Sequence, residues 1–116
     1  MPDTVLVTGG FGLVGSATVR QLAADGRRVI AADLATPANR KAAAKLPAGA
    51  EYRWADLTDP EQVQRLVSET TPSAIIHLAA IIAPAIYRVP HHVARRVNVD
   101  ATATLVAAAA ALPPPP

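Results

Sequence analysis

The chain of 116 residues contains no cysteine. That excludes disulfides, thiolate-bound zinc and a cysteine nucleophile, and it fits a reducing compartment. Aromatic residues are scarce, with one Phe, one Trp and two Tyr, so small side chains must fill the interior and helices must approach a sheet closely. No hydrophobic run is long enough to cross a bilayer, which takes roughly 20 residues. The longest, over 74–86, is interrupted by His77 and Pro84. Charged residues make up 17% and the net charge is +2. Arg27-Arg28 and Arg95-Arg96 are isolated pairs without interleaved aromatics, so no nucleic-acid partner is expected. Met1-Pro2-Asp3 lacks the basic start of a signal peptide. A protein of the cytoplasm, with no membrane partner, is the expectation.

What is present is an alternation of strand and helix signals in a globular composition, 51% hydrophobic. An apolar, β-branched run over 4–8 breaks into the cluster Gly9-Gly10-Phe11-Gly12-Leu13-Val14-Gly15 and continues with helical spacing over 12–24. Leu13, Val14, Ala17 and Leu22 are expected to form the apolar stripe of that helix, and Gly26 to end it. A second strand is predicted over 28–33. Thr36 before Pro37 reads as the cap of a helix reaching residue 46. A third strand follows over 51–55. Asp59-Pro60-Glu61-Gln62 reads as a capping box opening a helix that buries Val63, Leu66 and Val67 and stops before Pro72. The fourth strand spans 73–78, and one long helix is predicted over 91–112. Such an order implies a parallel sheet with helices on both faces. The expected arrangement is one domain over 1–112 and a polyproline tail over 113–116.

Each glycine of the cluster has a physical task in a strand–turn–helix. Gly9 and Gly10 let the backbone leave the strand tightly, Gly12 clears room for a pyrophosphate, and Gly15 lets the helix lie close. Unpaired amides near Leu13 and Val14 then aim at phosphate oxygens, aided by the helix dipole. A nucleotide-triphosphate loop would need lysine after the last glycine, where Ser16 stands. Asp33, at the end of the second strand, is placed to accept hydrogen bonds from the two hydroxyls of an adenosine ribose. Its charge disfavours a 2′-phosphate, so NAD is expected over NADP, while Arg28 and Arg40 leave NADP open. Adjacent His91 and His92 point apart on a helix, and no metal site is expected.

Thr8-Gly9-Gly10-Phe11-Gly12-Leu13-Val14-Gly15 resembles the T-G-G-x-G-x-x-G signature of extended short-chain dehydrogenases/reductases, the NAD-dependent epimerase/dehydratase family. Asp56-Leu57-Thr58-Asp59 resembles the family's D-L-x-D, whose first two residues approach the adenine. His77-Leu78-Ala79-Ala80 resembles its H-L-A-A, which lines the central part of the cofactor. Val97-Asn98-Val99-Asp100-Ala101-Thr102 resembles V-N-V-x-G-T, with Ala101 in place of glycine. There the asparagine supports the active site, and Asn98 would be its counterpart. The resemblance implies a Rossmann-type, doubly wound half-domain of strand order 3-2-1-4. It also implies NAD binding through Gly9 to Gly15, Asp33, Asp56, Leu57, Leu78, Ala79, Ala80 and Asn98.

The family's chemistry depends on a Y-x-x-x-K pair, whose tyrosine is the acid/base. Tyr52 and Tyr87 are followed four residues later by Asp56 and His91, and the last lysine is Lys45. No catalytic residue is therefore assigned. The expectation is a truncated cofactor-binding portion of an epimerase/dehydratase-type oxidoreductase. The alternatives are a subunit completed by another chain and a non-enzymatic nucleotide-binding or redox-sensing module. In the order 3-2-1-4 the fourth strand is an exposed edge, which predicts self-association through residues 73–80.

Overall fold

Thr4, Val5, Leu6, Val7 and Thr8 form β1 (Thr4–Thr8) with all five residues buried, as befits a parallel strand covered on both faces. The computed structural model describes residues 3–116. β2 (Arg28–Asp33), β3 (Ala50–Trp54) and β4 (Ala74–His77) complete a sheet of order β3-β2-β1-β4. Every pairing is parallel, and the register sets Thr8 beside Ala32 and His77, and Asp33 beside Trp54. This is the order 3-2-1-4 expected from the sequence.

Three apolar clusters hold the layers together. On one face Val5, Val7, Val29 and Ala31 pack with Val19 of α1 (Leu13–Ala24). On the other, Leu6, Ile30 and Ala32 meet Ala55, just after β3, and Leu66 of α3 (Pro60–Thr70). Val63 and Val67 of α3 then meet Leu105 of α5 (Ala101–Ala110).

The apolar stripe of α1 differs from the one expected. Leu13 is 92% exposed and Val14 62% exposed, and Ala17 is exposed as well. Gly15 and Val19 are buried instead, with Leu22 and Ala23 packed beside them. The first turn stands at the C-terminal end of β1, where Leu13 and Val14 border an open cleft instead of the core.

Side-chain caps set the start of two helices. Thr36 Oγ1 accepts the Asn39 amide at 3.1 Å and opens α2 (Pro37–Ala43). That helix ends short of residue 46 because Lys45 and Leu46 donate to Ala42 and Ala43 in tighter i→i+3 turns before Pro47. Asp59 accepts the Glu61 amide at 3.0 Å and opens α3. Gln62 does not close the reciprocal capping box. Its Oε1 accepts the Asp56 amide at 2.8 Å, because the Asp59 amide already donates to the Asp56 carbonyl.

The long final helix is not uniform. α4 (His91–Arg95) passes through a π turn (Arg96–Asp100) into α5. A 3₁₀ turn (Ala85–Tyr87) interrupts the preceding loop. Residues 113–116 are not helical. Among the described residues, no helix is long and apolar enough to cross a membrane.

Candidate functional site

Because the strands are parallel, Thr8, Asp33, Trp54 and His77 all lie at one end of the sheet. Strand order reverses there between β1 and β4, which opens a crevice. A cleft of about 500 Å³ occupies it, within the size range of small-ligand sites.

The glycine turn forms the floor. Gly9 has φ +64°, and a Cβ on it would lie 2.9 Å from the Ala79 amide nitrogen. Gly15 sits directly on the turn. A Cβ there would collide with the Gly9 carbonyl oxygen and come within 2.8 Å of its carbon. The N-terminus of α1 is thus drawn onto the end of β1 and aimed at the cleft. Gly12 is the N-cap and α1 has no side-chain cap. Among the described residues, the amides of Leu13, Val14 and Gly15 meet no acceptor. Such free donors at a helix start suit a phosphate.

Asp33 holds this turn in place. Its Oδ2 accepts the Phe11 amide at 3.1 Å and its Oδ1 the Leu34 amide at 2.8 Å. Each carboxylate oxygen keeps a second acceptor position, and Asp33 lines the cleft. The two arginines that left NADP open are placed differently. Arg28, at the opposite end of β2, pairs with Glu51 at 3.0 Å. The Arg40 guanidinium stacks 5.6 Å from the centre of the Trp54 ring.

The far wall is built from Asp56 and Leu57 after β3 and from Leu78, Ala79 and Ala80 after β4. Asp56 Oδ1 accepts both the amide and the hydroxyl of Thr58, at 2.9 and 2.7 Å. Leu78 and Ala79 donate their amides to Thr8 Oγ1 at 3.0 and 3.2 Å. The same hydroxyl lies 2.6 Å from His77 Nδ1, and His77 Nε2 lies 2.9 Å from Thr102 Oγ1. Burial lowers the His77 imidazole below its ordinary value of 6.5.

Three residues expected at the site stand outside the cleft lining. Gly10 turns away, its missing Cβ against Ala31, 2.6 Å from the Ala31 Cβ. Phe11 packs on the α1 face of the core, its ring 5.6 Å from that of Trp54; only its amide serves the turn. Asn98 lies within the π turn and grips the backbone of Ile81. Its Oδ1 accepts the Ile81 amide at 2.7 Å and its Nδ2 donates to the Ile81 carbonyl at 2.9 Å. Ile81 does line the cleft, so Asn98 acts on it at one remove.

Sequence reasoning does not single out Ala32, Leu34, Ala55, Thr58, Ile81, Ile82, Val97 or Ala101 as cleft residues, yet all line it. Leu34 and Thr58 adjoin singled-out aspartates, which is a usable signal. Ile81 and Ile82 carry none, because a loop after a strand reveals its path only through its tertiary contacts. Among the described residues no group of three His, Asp or Glu side chains is placed to hold a metal.

The sequence matches the NAD dependent epimerase/dehydratase family over residues 5–115. The dTDP-L-rhamnose 4-epimerase of Burkholderia thailandensis is 40% identical over 79 residues, covering 66% of this chain and 22% of that protein. UDP-glucose 4-epimerase 4 of rice, Oryza sativa subsp. japonica, is 36% identical over 85 residues, 67% of this chain and 23% of its own. A crystal structure of the Thermus thermophilus UDP-glucose 4-epimerase in complex with NAD matches with a TM-score of 0.78 and 31% identity. That match covers 90% of this chain and 33% of that one. The chain therefore spans a third or less of the length of these relatives. By its glycine turn, its sheet order and its match over nearly every residue, the chain belongs to the NAD dependent epimerase/dehydratase family, as an N-terminal portion of it.

Proposed function

We propose that this chain binds NAD in the cleft at the C-terminal ends of β1, β2 and β4. The observation that carries this reading is the uncapped start of α1, where three free amides and the side-chain-free Gly12 face the same space as Asp33. The residues fit the cofactor. Leu13, Val14 and Gly15 would hold the pyrophosphate, Asp33 the adenosine ribose, and Asp56 and Leu57 the adenine edge. The apolar wall of Leu78, Ala79 and Ala80 would border the central portion. Asp33 favours NAD over NADP by charge, since it would repel a 2′-phosphate.

A bound nicotinamide dinucleotide supplies a hydride acceptor. The relatives compared above are epimerases of nucleoside-diphosphate sugars by name, and that reaction class is the one we carry over for the whole protein. This chain's own part is to bind and orient. It contains no Tyr-x-x-x-Lys pair, which supports a cofactor-holding portion without catalysis of its own. The same absence favours a second reading, a nucleotide-binding module that works without chemistry.

Thermal unfolding and Trp54 fluorescence test the binding. Trp54 is the sole tryptophan and pairs in register with Asp33, so occupancy of the ribose position should change its emission. NAD at a hundred times its Kd should stabilise the fold by about 2.7 kcal/mol. An unchanged melting temperature at millimolar NAD removes the binding claim. Tighter binding of NADPH than NADH overturns the preference. Added NAD and a nucleotide sugar should give no turnover with this chain alone; turnover would overturn the non-catalytic reading.

A further inference from the structure

The imidazole of His77 lies between two threonines, and the direction of every hydrogen bond around it follows from the groups at the ends. Thr8 Oγ1 accepts the Leu78 amide, which is shared with the Thr8 carbonyl, and the Ala79 amide. Both lone pairs are then occupied, so the single hydroxyl proton must go to His77 Nδ1. Nδ1 is the acceptor, and Nε2 carries the ring proton to Thr102 Oγ1. Thr102 gives its own proton to the Asn98 carbonyl at 2.9 Å. Donation thus runs one way, from the cleft-wall amides of Leu78 and Ala79 through Thr8, His77 and Thr102 to Asn98. Both ends act on the cleft, because the Asn98 side chain holds Ile81 by its amide and its carbonyl.

We propose that neutral His77 is a positioning residue for the dinucleotide cleft, holding the wall from Leu78 to Ile81 through this one-way chain, and that proton uptake at His77 breaks the chain and weakens NAD binding. The proposal rests on the NAD-binding reading above. An imidazolium would present Nδ1–H to a Thr8 oxygen with no lone pair left. Thr8 would have to turn and release the Leu78 and Ala79 amides, or the ring would have to leave.

The two side chains bonded to the ring are uncharged. β1 presents Thr8 to the ring, and α5 presents Thr102. The groove beside the ring is lined from β4 and α5 by uncharged residues such as Ile75, Leu105 and Val106. The charged side chains of the same helical rod are Arg95, Arg96 and Asp100; Arg95 and Asp100 face one another at 3.9 Å, and all three are exposed. Burial of the ring acts in the same direction, disfavouring the charged form.

Two measurements on the 116-residue protein test this. Long-range ¹H–¹⁵N spectra of His77 near pH 8, without ligand, should show an unprotonated Nδ1 and a protonated Nε2. On acidification the Leu78 and Ala79 amide signals should move together with the His77 titration. The opposite tautomer, or amides indifferent to that titration, overturns the proposal whether or not NAD binds.

NAD affinity, read from Trp54 emission, should fall on acidification from about pH 8 in step with the His77 titration followed in those spectra, reaching about fivefold once the ring is protonated, the effect of losing one hydrogen bond. His77→Gln keeps an acceptor and a donor but does not titrate, and should bring that ratio near one. His92→Gln, on an exposed turn, should leave the ratio as it is. A ratio that survives in His77→Gln, or disappears in His92→Gln, overturns the proposal and leaves NAD binding standing. Absence of NAD binding at pH 8 overturns the NAD-binding reading and the ligand half of this one, while the tautomer and amide signals still decide the chain itself.

Discussion

The carboxylate of Asp33 accepts the backbone amide of Phe11 at 3.1 Å. This bond joins the end of β2 to the middle of the glycine turn, 22 residues earlier in the chain. One side chain therefore shapes the glycine turn and presents an acceptor to the adjoining cleft. The turn-capping and ribose-binding readings of Asp33 are compatible, because each carboxylate oxygen has more than one acceptor position.

Asp33→Ala should accordingly do two things. Loss of the acceptor for the Phe11 and Leu34 amides should lower stability by about 1 kcal/mol, since both groups regain some water. Calorimetric titration should show NAD affinity falling about tenfold, with discrimination against NADP falling too. Unchanged affinity together with reduced stability would leave Asp33 a structural residue only.

Gly15→Ala addresses the floor of the cleft. A Cβ there collides with the backbone of Gly9, and no flexible side chain can yield. Urea unfolding should show a loss of about 1–3 kcal/mol, as for overpacked sites. The surviving folded protein should bind NAD more weakly, because the start of α1 must move off the turn.

Asn98 offers a contrast between two substitutions. Asn98→Ala removes both partners of the Ile81 backbone, and hydrogen exchange at the Ile81 amide should accelerate about tenfold or more. Asn98→Asp keeps an acceptor for that amide but sets a carboxylate against the Ile81 carbonyl, so the amide should be protected less than in the natural chain and more than in the alanine variant.

The lowered His77 value carries a definite sign for stability. The unfolded chain takes up a proton near 6.5, while the folded chain resists until a lower pH. The contribution of His77 is therefore complete above 6.5 and is lost as pH falls through the depressed folded value. Urea midpoints across that window should fall with acidification in the natural chain and fall less in His77→Gln, after allowance for carboxylate titration at lower pH.

β4 pairs only with β1 and stands at the edge of the sheet. Its Ala74 is exposed and its remaining residues are half-buried. We expect the 116-residue chain to self-associate through this edge, and Ala74→Lys to reduce the association by placing a charge there. Sedimentation of the natural chain as a stable monomer would count against this expectation.

Much of this architecture is legible in the sequence because it depends on local chemistry. A β-branched run before glycines, Thr36 before Pro37 and Asp59 before Pro60 each settle a boundary through nearby atoms. The π turn around Asn98 is not legible, since its residues look like an ordinary helix. Nor is the orientation of α1: Leu13 and Val14 satisfy a helical stripe by spacing, but the fold turns them to the cleft.

The alternation of strands and helices, the glycine turn between the first two, the carboxylate at the end of the second strand and the family resemblance are all legible without the fold. Those depend on residue type and short spacing. That Asp33 ties down Phe11, that Asn98 reaches Ile81 and that His77 connects Thr8 with Thr102 emerges from the packed fold alone. Each of these bonds joins residues 17 to 69 positions apart. Their partners are chosen by how the helices settle on the sheet, and no local pattern records that choice.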